Sequence, residues 1–225
     1  MIKEEIKMDK IFGAYLSPFV RKVVLAMELK GIEFEMVNAA PGMFPEGYEL
    51  KHPLKKIPTF QDDDICVPDS SVICQYLDDK YPDIKIIPSD PVLKAKALWI
   101  EEFSDSKLAE TCGGALFFQR FMKPMFGKES NEEMVEKNLN GPMKDAVRYL
   151  DSVCEERTSK YLVGDSVSVA DFAVVSHFIN AKYVGYEPDV TEFPNFMKYM
   201  AEMREDELFA KRIAAEEKFA PKPKS

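Results

Sequence analysis

The segment AYLSPFVRKVVLAMELKGI, residues 14–32, places Ser17 directly before Pro18, where an apolar run gives way to helical spacing. Val20, Val23, Val24 and Met27 fall at i, i+3, i+4 and i+7, and Gly31 supplies a stop, so the serine precedes the first helical turn. The first N–H groups of a helix have no partner inside it, and with the positive end of the helix dipole they favour an anion. Ser17 therefore has two compatible readings. It is an N-cap ahead of a proline at the first helical position, or a hydroxyl that donates to an anionic reactant. Tyr15, two residues earlier, is the rival hydroxyl.

Two other groups could act on a ligand. Asp69 and Ser70 open a second helical stretch, DSSVICQYLDDKYP, either as simple caps or as a helix start that holds a charged ligand. The loop HPLKKIPTF brings His52, Lys55 and Lys56 together, where a solvated basic loop is the ordinary expectation. Ser168 and Asp171 have capping-box spacing ahead of a strongly apolar helix and are read as structural. His177, among Phe172, Val174, Val175 and Phe178, reads as a hydrogen-bonded core histidine. Four scattered cysteines and only two histidines suggest neither a disulfide framework nor a metal site, and a reducing cytoplasm fits best.

The elements that must position these residues change character midway. KIFGAYL reads as a strand, the helix to Gly31 follows, and IEFEMVNA alternates apolar Phe34 and Met36 with Glu33 and Glu35 as a half-buried strand. That is a β-α-β unit. IPTFQDDDICVP then reads as a hairpin around an acidic turn, and the helix from Asp69 is expected to turn Val72, Ile73, Tyr76 and Leu77 inward. After the proline-rich PDIKIIPSDP nothing reads as a strand. Residues 92–123 and 132–157 form long periodic stretches, the second bent at Gly141-Pro142 and carrying Val147, Leu150 and Cys154 inward. The expected organisation is an α/β domain over 9–84, a linker over 85–91, an all-α domain over 92–219 and a disordered tail over 220–225.

Bulk properties narrow the partners. A chain of 225 residues with 46% apolar content has a real core, and a net charge of −9 disfavours nucleic acid or an anionic membrane as the main partner. The N-terminal MIKEEIKM is charged and no apolar run nears a membrane span, so neither a signal peptide nor a spanning helix is expected.

The element order and four motifs together resemble the cytosolic glutathione transferases. SPFVRK at 17–22 is similar to the active-site segment of the serine-type classes, and HPLKKIPTF at 52–60 to the family's N-P-x-G-K-I-P-x-L. DSSVI at 69–73 is similar to E-S-x-x-I, and LVGDSVSVADF at 162–172 to the C-terminal capping signature. The resemblance implies a thioredoxin-like N-terminal domain (βαβ-ββα), an all-helical C-terminal domain, and theta-like, tau-like, zeta-like or bacterial-type kinship. It also implies the chemistry. Glutathione is the co-substrate, no metal is needed, and its thiol, ordinarily near a pKa of about 8.5, ionises beside Ser17.

Residue by residue, the resemblance assigns glutathione binding to Phe19, His52, Lys56, Ile57, Pro58, Asp69 and Ser70. Ser70 and the helix start would take the γ-glutamyl carboxylate, Asp69 its ammonium, and Lys56 a carboxylate. A cis Ile57–Pro58 bond would turn the Ile57 backbone toward the cysteinyl unit. His52 replaces the family's Asn, Lys55 its frequent Gly, and Asp69 its Glu. A small apolar electrophile is expected near Tyr15, Met43, Phe44 and Gly113, between the loop at Phe19 and the first helix of the second domain. Gly113-Gly114 costs a helix about 1 kcal/mol per glycine, which suggests a co-substrate cavity or a tight helix crossing. Trp99, Phe103, Phe117, Phe118 and Phe121 are read as core or subunit interface. The resemblance further implies a homodimer, with Asp105 toward the partner's glutathione, and detoxification in the cytoplasm. The alternatives are a non-catalytic carrier of glutathione or apolar ligands on the same fold, and a glutathione-dependent isomerase or dehalogenase.

Overall fold

The computed structural model describes residues 8–221 and divides the chain into two units, with the boundary after Lys85. In the first, β1 (Asp9–Gly13), α1 (Pro18–Lys30) and β2 (Phe34–Asn38) make the β-α-β unit. A short α2 (Tyr48–Lys51) follows, then the hairpin β3 (Thr59–Gln61) and β4 (Cys66–Pro68), and α3 (Ser70–Lys80). The sheet order is β2-β1-β3-β4, with β1 parallel to β2 and the other pairs antiparallel.

Alternation along the strands gives the sheet two faces. Ile11 and Phe60 sit opposite one another and fully buried, with Tyr76 of α3 at 5.9 Å from the Phe60 ring. Phe12 and Thr59 point the other way, where Tyr48 of α2 covers them. Gly13 ends β1 because α1 comes so close: a Cβ there would lie 2.6 Å from a Val20 methyl. Lys30, in the last turn of α1, donates to Asp78 Oδ1 at 3.1 Å and to the Tyr81 carbonyl at 2.9 Å, which ties the ends of α1 and α3 together. The hairpin turn is tied to α3 in the same way, since Asp62 accepts from Tyr76 and from Lys80.

One sequence expectation about α3 is corrected. Its buried residues are Ser70, Ile73, Cys74, Leu77 and Asp78, an i, i+3, i+4, i+7, i+8 stripe. Val72 falls off that stripe and is 47% exposed.

The second unit is helical. Ile86 and Ile87, inside the stretch expected as a linker, are buried, and the Val169 N–H donates to the Ile86 carbonyl at 3.0 Å, so these residues belong to the packing of the second unit. A long helix starts as α4 (Pro91–Phe103), continues through Ser104–Met122 in the wider π form, and ends as α5 (Lys123–Met125). The wider winding shows at its end, where the Lys123 N–H reaches back five residues to Phe118. The stretch expected as one bent helix is two, α6 (Glu132–Asn140) and α7 (Pro142–Glu155), because Gly141 takes φ −129°, ψ −98° and Pro142 has no N–H to continue the ladder. α8 (Val169–Tyr183), α9 (Pro194–Glu205) and α10 (Glu207–Glu216) complete the unit.

Asp171 is wholly buried at the start of α8 and accepts from Leu162 N–H, Ser168 N–H, Ser168 O–H and Tyr199 O–H, at 2.9–3.2 Å. His177 is buried within the same helix. Trp99 is not core: it is 57% exposed, and its indole N–H donates to the Tyr149 hydroxyl at 2.6 Å. Phe118 is exposed as well, Phe117 is buried, and Phe103, Phe121 and Asp105 are half-buried. Ala220 is extended, and the remaining tail residues 222–225 and the N-terminal residues 1–7 lie outside the described residues.

Candidate functional site

The strand register gathers the site. Phe12 pairs with Thr59 and Thr59 with Pro68, so one row across β1, β3 and β4 marks a common end of the sheet. Ser17 lies five residues beyond that row, Pro58 one residue before it and Asp69 one residue after it. Three loops far apart in sequence therefore emerge together in the first unit, at the carboxyl end of β1, where open α/β sheets place ligands. Lys22 of α1 adds a direct link, donating to the Ser71 hydroxyl of α3 at 3.3 Å.

Ser17 is the N-cap of α1, in extended conformation, with Pro18 at the first helical position. Its Oγ accepts from the Val20 N–H at 3.4 Å, a long bond, and it is half-buried. A hydroxyl that accepts in this way still has its own proton to donate. Tyr15 and Phe19 flank it and are half-buried too. Asp69 caps α3 by accepting from Ser71 N–H at 2.9 Å and Val72 N–H at 3.2 Å, both through Oδ1. Its backbone holds φ +78°, ψ 124°, a sparsely populated conformation for a residue with a Cβ. Asp69 is exposed and Ser70 beneath it is buried.

The loop between α2 and β3 carries the cis Ile57–Pro58 peptide bond. Lys55 stands at φ +49°, a left-handed conformation that a glycine would adopt without strain. Lys56 is exposed, Ile57 half-buried and Pro58 buried. The organiser is Tyr48, which the sequence did not single out. Its ring stacks on Phe44 at 4.8 Å, and its buried hydroxyl donates to the Lys56 carbonyl at 2.7 Å and lies 2.9 Å from Thr59 Oγ1. Tyr48→Phe is expected to cost about 1 kcal/mol of stability by stranding those groups, a loss that thermal melts measure.

His52 caps the end of α2 and is 5% exposed. Burial pushes its imidazole below the ordinary value; the Asp69 carboxylate opposes this and the Lys56 ammonium adds to it. Its Nδ1 is buried and meets no hydrogen-bond partner among the described residues.

The residues expected around an electrophile are less uniform. Met43 is exposed, whereas Phe44 is partly taken up by Tyr48 in the Phe12, Ala39, Tyr48 core. The tight crossing considered for Gly113-Gly114 is absent among the described residues. A Cβ at Gly113 would meet nothing within 4 Å, and one at Gly114 only the Ala109 carbonyl at 3.9 Å. The pair falls instead inside the π-wound stretch, where poor α propensity does least harm. Among the described residues no cluster of three or more His, Cys, Asp or Glu is placed to hold a metal, and no helix is long and apolar enough to cross a membrane.

Comparison with known proteins agrees with this fold. The family model described as "Glutathione S-transferase, N-terminal domain" matches residues 11–85, and that described as "Glutathione S-transferase, C-terminal domain" matches residues 117–214. A glutathione S-transferase from Triticum aestivum is 29% identical over 184 residues, 82% of this chain and 83% of the relative. Maleylacetoacetate isomerase from Mus musculus is 25% identical over 204 residues, 88% of this chain and 89% of the relative. Among solved structures, a glutathione S-transferase from Rhodospirillum rubrum F11 superposes with TM-score 0.81 at 20% identity, covering 91% of each chain.

Proposed function

Because this chain belongs to the glutathione S-transferase family, we propose that it binds glutathione at the sheet end described above and joins the sulfur to small apolar electrophiles. The observation that supports this reading is the cross-strand row Phe12–Thr59–Pro68, at whose end the segments carrying Ser17, Pro58 and Asp69 leave the sheet. Each then has a role that its chemistry fits. The exposed start of α3 and Ser70 receive the γ-glutamyl carboxylate, and Asp69, with one oxygen occupied in capping, offers the other to the ammonium. Lys56 takes a carboxylate, and the Ile57 backbone meets the cysteinyl unit.

The sulfur then lies against Ser17, where a hydroxyl proton and the positive end of the α1 dipole favour the thiolate. Once the thiol ionises on binding, the anion attacks the electrophile, a new carbon–sulfur bond forms, and the leaving group departs with its electron pair. No residue need act as a base during attack. A homodimer, a cytoplasmic setting and a detoxifying role belong to the same reading, supported by the family and by the exposed Val92, Trp99 and Phe118 along the long helix.

Calorimetric titration with glutathione at millimolar concentration, followed by ultraviolet absorbance of the bound thiolate near neutral pH, tests the reading. Heat and thiolate absorbance are expected together; a silent titration overturns it.

A further inference from the structure

A half-open cavity of about 740 Å³ is lined entirely by residues of the second unit. Backbone chemistry makes its two lips. Gly127, at φ +67°, turns the chain after α5, and Gly185, at φ +80°, turns it after α8, both in the left-handed region that glycine adopts without strain. One side chain braces the lips together. Arg120 donates through Nε and Nη2 to Glu132 Oε2 at 3.1 and 2.9 Å, and through Nη1 to the Val184 carbonyl at 3.2 Å, which ties the start of α6 to the end of α8. The Ser130 hydroxyl donates to the other oxygen of Glu132.

We propose that this cavity is a second binding site, which takes an organic monoanion with a broad apolar body, such as a fused-ring sulfonate or carboxylate. The inference goes beyond the glutathione reading and does not rest on it. Size, wall chemistry and charge each select the class. Small-molecule sites span roughly 300–1,000 Å³, so the volume suits an organic body and far exceeds what an inorganic ion needs. Pro124, Val184 and Pro221 give the cavity apolar walls, from which an apolar body displaces water favourably. The charged lining sets three cations, Arg120, Lys128 and Lys182, against two carboxylates, Glu129 and Glu132. That leaves one positive charge in excess, on a chain whose net charge is −9.

The bonds made inside the wall decide which cations meet the ligand. Arg120 is committed to Glu132 and Val184, so it shapes the site and leaves the anion to the two lysines. Lys128 is exposed on the loop after α5. Lys182 reaches Glu187 at 3.3 Å, but Arg204 holds the same oxygen more closely, at 2.7 Å, so one carboxylate serves two cations. The end of α8 does not repel an anion either. Its Ala181 carbonyl accepts from Val184 and Tyr186 N–H, its Lys182 carbonyl from Gly185 N–H, and the Val184 carbonyl beyond it from Arg120, which covers the negative end of the dipole.

The experiment is a fluorescence titration of the full chain with 8-anilinonaphthalene-1-sulfonate, a monoanion on a fused-ring body, with and without millimolar S-methylglutathione. Saturable binding is expected, with the same affinity in both conditions. Lys128→Glu and Lys182→Glu are each expected to weaken it severalfold, and the pair together by about tenfold. Both side chains are exposed, so melting temperatures should hold and a loss of binding is not a loss of fold. N-phenyl-1-naphthylamine, the same body without the sulfonate, separates charge from shape: its affinity should not respond to either reversal. No binding of the sulfonate, displacement by S-methylglutathione, or an affinity that the double reversal leaves unchanged overturns the inference. An equal loss for the neutral probe overturns it too, because the lysines would then be shaping the cavity and not meeting an anion.

Discussion

Ser17→Ala is expected to lower kcat/KM for conjugation of 1-chloro-2,4-dinitrobenzene by about 10- to 100-fold and to raise the pKa of the bound thiol by about one to two units. Both figures come from one quantity. A hydrogen bond to a charged group contributes about 1.5–3 kcal/mol, and each pKa unit corresponds to about 1.4 kcal/mol. The substitution also removes the Ser17 side chain that accepts from Val20 N–H, which costs about 1 kcal/mol of stability as a lost cap. That cost is separable, because it appears in melting and not in the thiol titration. Ser17→Thr keeps both the cap and the hydroxyl and should restore most of the activity. Binding of S-methylglutathione should survive Ser17→Ala nearly unchanged, since the lost bond is made to the thiolate. If Tyr15→Phe gives the rate loss and Ser17→Ala does not, the role passes to the tyrosine.

What the sequence made legible was largely what backbone chemistry dictates locally. Ser17 before Pro18 and Asp69 before a periodic run could be read as helix starts because caps and spacing are short-range signals, and both helices begin there. The sheet end that unites them could only be inferred through resemblance, since register is a long-range property with no local mark. Tyr48 was invisible for that reason: nothing in GYEL announces a hydroxyl that reaches the Lys56 carbonyl and Thr59. Gly13 had a signal, a glycine closing a strand, whose meaning is the 2.6 Å approach to Val20. Val72 has no local mark of its outward position, because apolar character alone points inward, whereas the buried stripe runs through Ser70 and Cys74 and includes two polar residues. The glycine pair at 113–114 shows the converse, a real departure from helix propensity whose structural correlate is winding and not contact.

The largest loss of stability is expected at Asp171, where Asp171→Asn should destabilise the chain by about 3–5 kcal/mol, nearly as much as Asp171→Ala. The reason is that all its partners are donors. Oδ1 accepts from Leu162 N–H and Tyr199 O–H, while Oδ2 accepts from Ser168 N–H and Ser168 O–H. An asparagine offers one oxygen, and its NH2 group must then face a backbone N–H with no lone pair between them. At a wholly buried site each stranded donor costs about 1–3 kcal/mol, and a domain has only about 5–15 kcal/mol in total. Tyr199→Phe removes a single donor, leaves the carboxylate with three, and should cost about 1 kcal/mol. Urea unfolding of the three variants measures this order directly. An Asp171→Asn chain within 1 kcal/mol of wild type would show that the carboxylate is not the acceptor on which the start of α8 depends. Because Asp171 lies in the second unit and the glutathione contacts proposed here lie in the first, the thiol pKa of whatever fraction remains folded should be unchanged. That distinguishes its collapse from the loss produced at Ser17.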